Sequence, residues 1–280
     1  MHSIVICSRN SDISVELKQN IADTIGCDYE LVVIDNSRNQ YNIFHAYNEG
    51  MQSAKGDILC FVHDDVRFRT NGWASKVERH FEEDEELGLI GFAGAHFLPD
   101  APMYWDESPF VSEHNLTTRK GQTEQCFSLE HFGGKTLAEV AVADGMCLFV
   151  RKSLFDRIAF DEATYQGFHL YDMDISMQVR EAGYKVCVCN DILVEHFYEF
   201  SPNKSGYALF GENLKKFHHK WASHFPLSVG LEGMTEGMTA QLNTFVKQKI
   251  QLEDSLRKVR ESKAYRVGKT LLHPMKKLKG

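Results

Sequence analysis

The chain has 280 residues, of which 43% are hydrophobic and 25% charged, and its formal net charge at pH 7 is −8. This composition is typical of a soluble globular protein with a substantial core, and the negative charge argues against a nucleic-acid-binding function. The charge is unevenly spread: residues 247–280 hold 11 Lys and Arg against 3 Asp and Glu, a net charge of +8, which leaves −16 for residues 1–246.

The chain contains seven cysteines, and none of them forms a CxxC pair. Most lie in apolar runs, which predicts reduced thiols that act as small core residues in a reducing compartment. The N-terminus enters an apolar stretch at once, so no signal peptide is expected, and no apolar run approaches the ~20 residues that cross a bilayer. These features predict a cytoplasmic protein.

Three short apolar segments alternate with two segments of helical spacing at the start of the chain. Strands are predicted over residues 3–7, 30–34 and 58–62, and helices over residues 13–25 and 43–54. This βαβαβ order with continuous apolar strands favours a mostly parallel sheet that is covered by helices on both faces.

Each of these three strands ends in polar residues: Ser8-Arg9, Asp35-Asn36 and Asp64-Asp65. In parallel α/β sheets, ligands bind beyond the carboxyl ends of the strands. The three endings together predict a binding site at this edge, although ordinary loop polarity would explain any single one of them.

The remaining elements are less regular. A helix over residues 73–86 precedes a buried strand over 88–95, and residues 99–134 are predicted as long loops and short hairpins. The later predictions are strand character over 138–151 with an interruption at Asp144-Gly145, a helix over 172–183, strands over 185–189 and 192–194, and helices over 207–224 and 239–262.

The adjacent carboxylates Asp64 and Asp65, with His196 after a later strand, are a candidate site for a divalent cation. Oxygen ligands select Mg²⁺ or Mn²⁺, and an imidazole shifts the preference toward Mn²⁺. Such sites keep open positions for phosphate oxygens. The alternative is a solvated turn that binds no metal.

Four segments, in this order, resemble the family 2-type glycosyltransferases of the GT-A fold. They are "ELVVIDNSRN" from residue 30, "YNEGMQSAKGDILCFVHDDV" from residue 47, "VADGMCLFVRKSLF" from residue 142 and "YDMDISMQVREAGYKVCVCNDILVEH" from residue 171. The resemblance covers roughly residues 2–200. It implies a Rossmann-like, mostly parallel sheet flanked by helices, with a catalytic domain over residues 1–225.

The resemblance also implies roles for individual residues. Asp65 and His196 would be metal ligands, and Asp172 would be the general base, with Asp174 as the alternative base or a support. The nucleotide-sugar donor would be bound by Ser8, Arg9, Asp35, Asn48, Asp64, Asp144 and Gly145. For Asp172 and Asp174, the competing interpretation is N-terminal helix capping.

This sequence departs from the family pattern at two positions. His63 stands where many relatives have the first acid of the DxD motif, and Tyr171 stands where many have Glu before the base. The first departure leaves the ribose contact uncertain, and the second leaves open whether Asp172 or Asp174 transfers the proton.

The implied activity is a metal-dependent, inverting transfer of a sugar from a nucleoside-diphosphate donor, with UDP expected. The acceptor would be a hydroxyl of a growing cell-surface glycan or lipid-linked acceptor, with Trp105 on the acceptor side. Two alternatives stay open: a non-catalytic nucleotide-sugar-binding module, and a sugar nucleotidyltransferase. The latter would need a Gly-rich phosphate loop with Arg and Lys near the N-terminus, which "VICSRNSD" lacks.

Residues 226–280 are predicted to form a C-terminal, amphipathic, helical and basic tail. Such a segment can rest on an anionic membrane face, which here would be the inner face of the cell membrane. The alternatives are an oligomerisation helix, which would make the protein a homo-oligomer, and a helix that packs on the acidic body.

Overall fold

The computed structural model describes residues 1–197 and 204–262. The helices are α1 (Val15–Ile25), α2 (Ile43–Ser53), α3 (Trp73–Glu83), α4 (Tyr171–Glu181), α5 (Lys204–Lys220) and α6 (Glu236–Glu261). The strands are β1 (His2–Ser8), β2 (Tyr29–Asp35), β3 (Ile58–Val62), β4 (Val66–Phe68), β5 (Leu87–Gly91), β6 (Ala93–Ala95), β7 (Phe97–Leu98), β8 (Val111–Arg119), β9 (Gln122–Ser128), β10 (Leu137–Glu139), β11 (Val142–Ala143), β12 (Cys147–Arg151), β13 (Lys185–Cys189), β14 (Val194–Phe197) and β15 (Leu227–Ser228).

The main sheet has seven strands in the order β10-β13-β5-β12-β3-β1-β2. β1 pairs in parallel with β2 and β3, and β13 pairs in parallel with β5, whereas β12 and β10 pair antiparallel to their neighbours. Five of the seven strands therefore run in one direction, as the mostly parallel prediction requires.

Local sequence explains why the first helices begin and end where they do. Ser14 caps α1 by accepting a hydrogen bond from the Leu17 amide, and Gly26 ends it with φ 80°. Asn42 caps α2 by accepting from the His45 amide. The apolar stripe of α1, including Leu17 and Ile21, is buried in the core.

A second sheet lies across the ends of the first. Its strands follow the order β11-β6-β8-β14-β4, with β9 paired to β8. The chain passes between the sheets at several short connections, which include residues 63–65 from β3 to β4, Phe92 from β5 to β6, and residues 144–146 from β11 to β12. Two of these connections carry predicted site residues.

Two sequence predictions are wrong in this region, and one is confirmed in part. The single strand over 88–95 is two strands in different sheets, because the chain turns at Phe92 from β5 into β6. Residues 99–134 do contain a predicted hairpin, formed by β8 and β9, but β8 is a nine-residue strand inside the second sheet, whose mixed polar sequence hides it from an apolar pattern. The strand over 192–194 is misplaced, since β14 spans Val194–Phe197 and thus includes His196.

The C-terminal region begins with α5 and continues into α6. The side chains of Leu242, Val246 and Ile250 on α6 pack on a small cluster formed with Phe97, Met103 and Phe110. Of the predicted basic tail, residues 263–280 lie outside the described part of the chain. Within residues 1–197 and 204–262, no helix combines the length and apolarity needed to cross a bilayer.

Candidate active site

The connection after β3 holds His63, Asp64 and Asp65 at the edge shared by the two sheets. The His63 amide donates to the Met146 carbonyl at 3.0 Å, and the Asp65 carbonyl accepts from the Phe197 amide at 2.8 Å. β14 pairs antiparallel with β4, which places His196 opposite Val66. Asp65 and His196, predicted together as metal ligands, are therefore brought side by side.

Three potential metal ligands converge at this point: His63, Asp65 and His196, whose ligand atoms all lie within 4.8 Å of one another. Asp65 Oδ1 is 3.3 Å from His196 Nε2 and 3.9 Å from His63 Nδ1. The same oxygen is buried and accepts no hydrogen bond. Donor atoms that face one another in this way fit a divalent cation, and two imidazoles beside one carboxylate favour Mn²⁺ over Mg²⁺.

His63 and Tyr171, the two departures from the family pattern, are in contact. The Tyr171 hydroxyl donates to the Gly145 carbonyl at 2.9 Å and lies 2.6 Å from His63 Nε2. Because the hydroxyl has a single proton, His63 Nε2 must be the donor of the second bond. The Nδ1 lone pair is then left on the side that faces Asp65.

The environment keeps His63 neutral and Asp65 ionised. Burial, reinforced by the nearby His196, lowers the pKa of His63 to about 4. Burial alone would raise the pKa of Asp65, but the contact with the His196 imidazole, more than any other, holds it below its usual value. Neutral imidazole and ionised carboxylate are the forms that bind a metal ion.

Asp172 lies in the first turn of α4 and is 3% exposed. Its Oδ2 accepts from the Gly145 amide at 3.2 Å and from the Tyr104 hydroxyl at 3.3 Å, while its Oδ1 is buried without a hydrogen-bond partner. Burial, followed by the charge of Asp144, raises the pKa of Asp172 to about 7. A carboxyl group with these properties suits proton transfer near neutral pH.

Asp174 has a different environment. Its Oδ1 accepts from the Trp221 indole at 2.8 Å and the Tyr165 hydroxyl at 3.0 Å, and its Oδ2 accepts from Gln178 at 2.7 Å and Lys220 at 2.9 Å. All four donors belong to the fold, so Asp174 ties α4 to the end of α5. The N-cap position of α4 is Leu170, so neither acid is the capping residue itself, and both lie in the first turn of the helix, where its dipole favours a carboxylate.

Asp144 and Gly145 form the second connection of the site. Asp144 Oδ2 accepts from the Trp105 indole at 3.1 Å, and its Oδ1 accepts from the Met146 amide at 2.9 Å. Burial raises the pKa of Asp144. Trp105, expected on the acceptor side, is a buried side chain that orients this carboxylate.

The polar ends of β1 and β2 lie next to the metal-ligand cluster. Asp64 Oδ2 is 3.4 Å from both the Ser8 hydroxyl and the Arg9 amide, and Asp64 Oδ1 is 4.0 Å from the Arg9 guanidinium. Asp35 pairs in register with Ser8 and is exposed. These four predicted donor-binding residues therefore share one edge of the sheet.

Asn48 is held differently from the other predicted donor-binding residues. Its side-chain amide donates to the Phe160 carbonyl at 2.8 Å, and its side-chain oxygen accepts from the Phe160 amide at 3.1 Å. These bonds give it a structural role, and its contact with the donor stays a prediction.

Sequence reasoning missed His63 as a third candidate ligand. It also missed the buried hydrogen bonds of Tyr171 with His63, of Tyr104 with Asp172 and of Trp105 with Asp144. The one local signal was the spacing of His63, which occupies the first position of the motif that Asp65 closes. The other three residues come into contact with the site only through the fold.

The whole site lies within a recognisable family domain. Residues 3–209 match the sequence profile of a glycosyltransferase-like family. The chain belongs to this family. The family match confirms the resemblance that the four sequence segments indicated.

Two curated relatives show sequence similarity to this chain. It is 30% identical over 155 residues to the streptomycin biosynthesis protein StrF of Streptomyces griseus, over 54% of this chain and 51% of that protein. It is 21% identical over 200 residues to a Fuscovulum blasticum protein described as ATP synthase subunits region ORF 6. That match covers 70% of this chain and 71% of the relative. The chain thus spans about half the length of the first relative.

Two solved glycosyltransferases have a similar fold. GalNAc-T7 with UDP, GalNAc and Mn²⁺ gives a TM-score of 0.56 at 13% identity, over 79% of this chain and 48% of that one. Staphylococcus aureus TarS 1–349 in complex with UDP-GlcNAc gives a TM-score of 0.54 at 14% identity, over 86% of this chain and 70% of that one. The predicted GT-A fold class is confirmed.

Proposed function

We propose that this glycosyltransferase-family protein transfers a sugar from a nucleoside-diphosphate donor to an acceptor hydroxyl, with inversion at the anomeric carbon. The observation that carries the proposal is the link between the two halves of the site. Gly145 donates to Asp172 and accepts from Tyr171, which in turn holds His63. The candidate base and the candidate metal ligands are therefore fixed to one backbone position.

Asp172 is the group proposed to take the proton from the acceptor hydroxyl. Tyr104 and Gly145 hold Oδ2, whereas the buried Oδ1 has no protein partner, so Oδ1 is the oxygen proposed to receive the proton once the acceptor is bound. A hydroxyl is a weak nucleophile at neutral pH, and a positioned carboxylate with a pKa of about 7 accepts its proton as the new bond forms. Direct attack by the acceptor, without a covalent sugar intermediate, gives inversion.

His63, Asp65 and His196 are proposed to hold the divalent cation, with Mn²⁺ preferred. A cation bound there would neutralise the negative charge that develops on the leaving diphosphate. Tyr171 keeps the His63 lone pair directed toward Asp65, and the pairing of β14 with β4 keeps His196 in place.

Ser8, Arg9, Asp35 and Asp64 are proposed to bind the nucleotide. Asp35 is exposed at the end of β2 and can accept hydrogen bonds from a ribose or a base. UDP is the preferred candidate, because GalNAc-T7 was solved with UDP and TarS with UDP-GlcNAc.

The acceptor and the domain organisation are proposed on sequence grounds. We assign residues 1–225 to the catalytic domain and residues 226–280 to an appended tail. We propose a surface glycan or a lipid-linked sugar as the acceptor, and a contact of the basic tail with the membrane. Both proposals rest on the sequence alone.

The test is a panel of nucleoside-diphosphate sugars scored for Mn²⁺-dependent release of nucleoside diphosphate. Asp65→Ala and Asp172→Asn should each lower turnover by at least about 100-fold, whereas Asp23→Asn, on the exposed face of α1, should leave it unchanged. UDP binding without Mn²⁺ dependence or turnover would instead indicate a binding module, and a preference for nucleoside triphosphates would indicate a nucleotidyltransferase. Unaltered turnover in both variants would overturn the site assignment.

A further inference from the structure

Helix α6 presents large apolar side chains on two different faces. One face carries Leu242, Val246 and Ile250, which pack on the body of the protein. The other face carries Met238, Phe245, Leu252, Leu256 and Val259, which are 47–64% exposed. Half of the ten large hydrophobic side chains that are exposed in the described part of the chain lie on this single helix.

The exposed side chains follow a heptad pattern. Met238, Phe245, Leu252 and Val259 recur at every seventh residue, and Lys249 and Leu256 stand four residues after Phe245 and Leu252. The position four residues after Met238 is Leu242, which packs on the body, so the free pattern runs from Phe245 onward with Met238 beside it. Apolar residues separated alternately by three and four positions form the seam of a two-stranded coiled coil. We call these six residues the α6 seam.

The seam is narrow and lies beside the docked face. At 3.6 residues per turn, its six side chains fall within a stripe of roughly 80° around the helix axis, and the centre of the stripe lies roughly 100° from that of the docked face. The docked face can therefore stay on the body while the seam contacts another molecule.

The charges beside the seam favour a protein partner over an anionic membrane. Asp254 forms ion pairs with Lys258 at 2.6 Å and with Arg257, and Lys249 lies 3.9 Å from Glu253. A helix that rests on anionic lipid carries a predominantly basic polar face, whereas mixed charges paired along the helix are typical of a solvated coiled coil. The last seam residue, Val259, stands two residues before α6 ends at Glu261.

We propose that the α6 seam pairs with the same seam of a second copy of this chain, forming a two-stranded coiled coil and a homodimer. A two-fold dimer uses one surface twice, which a single self-complementary stripe can supply. Lys249 is the one polar residue of the seam, and a single polar residue at such a position fixes register at a cost in stability. This inference goes beyond the proposed function, because it does not depend on the reaction.

The test is sedimentation velocity of the full 280-residue chain over a wide range of concentration. The unmodified protein should be a dimer in equilibrium with monomer, and Leu252→Asp should be monomeric throughout. The matched control Gln251→Asp introduces the same charge on the solvent side of the helix and should dimerise normally. Lys249→Leu should tighten the dimer by about tenfold or more, because it removes the polar seam residue.

Circular dichroism and Mn²⁺-dependent turnover separate loss of the dimer from loss of the fold. Both should be unchanged in Leu252→Asp. A monomer at every concentration, a Leu252→Asp variant that still dimerises, or a Lys249→Leu dimer no tighter than the unmodified one would overturn the proposal. So would a monomer that binds vesicles containing anionic phospholipid through Leu252.

Discussion

Tyr171→Phe removes one oxygen atom that lies between the candidate base and the candidate metal ligands. The Tyr171 hydroxyl accepts from His63 Nε2 at 2.6 Å and donates to the Gly145 carbonyl at 2.9 Å. Without it, the His63 Nε2 proton loses its buried partner, and nothing fixes which ring nitrogen faces Asp65. The variant should therefore bind Mn²⁺ more weakly.

The size of the effect follows from the kind of contact removed. Losing a partner that orients a metal-binding histidine typically weakens metal affinity by about 10- to 100-fold, which is about 1.4–2.7 kcal/mol. An unpaired buried donor costs about 1–3 kcal/mol, so the two lines of reasoning agree. Because Gly145 also holds Asp172, we expect turnover at saturating Mn²⁺ to fall as well.

The assay is calorimetric titration of Mn²⁺ into the protein in the presence of UDP. Tyr165→Phe is the matched control, since it removes another buried hydroxyl bonded to α4, at Asp174 Oδ1 and 3.0 Å away. Its Mn²⁺ affinity should equal that of the unmodified protein. Equal Mn²⁺ affinities in Tyr171→Phe and Tyr165→Phe would refute the reasoning that Tyr171 prepares His63 as a ligand.

Three further predictions concern the candidate base and the residues around it. With the pKa of Asp172 raised to about 7, the rate should increase as pH rises through about 7 and level off above it, as measured by kcat/KM against pH at saturating Mn²⁺; a flat profile would contradict the assignment. The pKa of Asp172 is higher in the folded protein than in the unfolded chain, so its ionisation lowers the folding stability. This loss of stability grows as pH rises from about 4 to about 7. The variant Asp172→Asn should therefore raise Tm at pH 7 or above and have little effect below pH 4. Gly145→Ala places a Cβ 2.2 Å from the Tyr171 hydroxyl oxygen and should lower both Mn²⁺ affinity and turnover. The control is Gly121→Ala, whose Cβ meets no atom within 4 Å. Although its φ of 75° strains an alanine, this control should change neither Mn²⁺ affinity nor turnover. Normal Mn²⁺ titration and turnover in Gly145→Ala would show that this close packing is dispensable.

The sequence by itself determined the first half of the fold and the position of the site. The apolar run of β3 ends at Val62 and charged residues follow at once, so strand, turn and candidate ligand were visible in one short segment. The helices α1 and α2 carry their own caps and apolar stripes, which are local signals. Since parallel strands end at a common edge, three polar endings were sufficient to indicate the candidate binding edge.

The tertiary structure alone decided which side chains act together. Asp172 and Asp174 stand two residues apart on one helix, and they differ because Trp221 and Lys220 from the end of α5 bond to Asp174, whereas Oδ1 of Asp172 has no hydrogen-bond partner. His63 becomes a candidate ligand through contacts with residues more than 100 positions away in the chain, Tyr171 by a hydrogen bond and His196 across the second sheet. Burial and hydrogen bonding set the protonation state and direction of each group, and both depend on packing partners that no local pattern encodes.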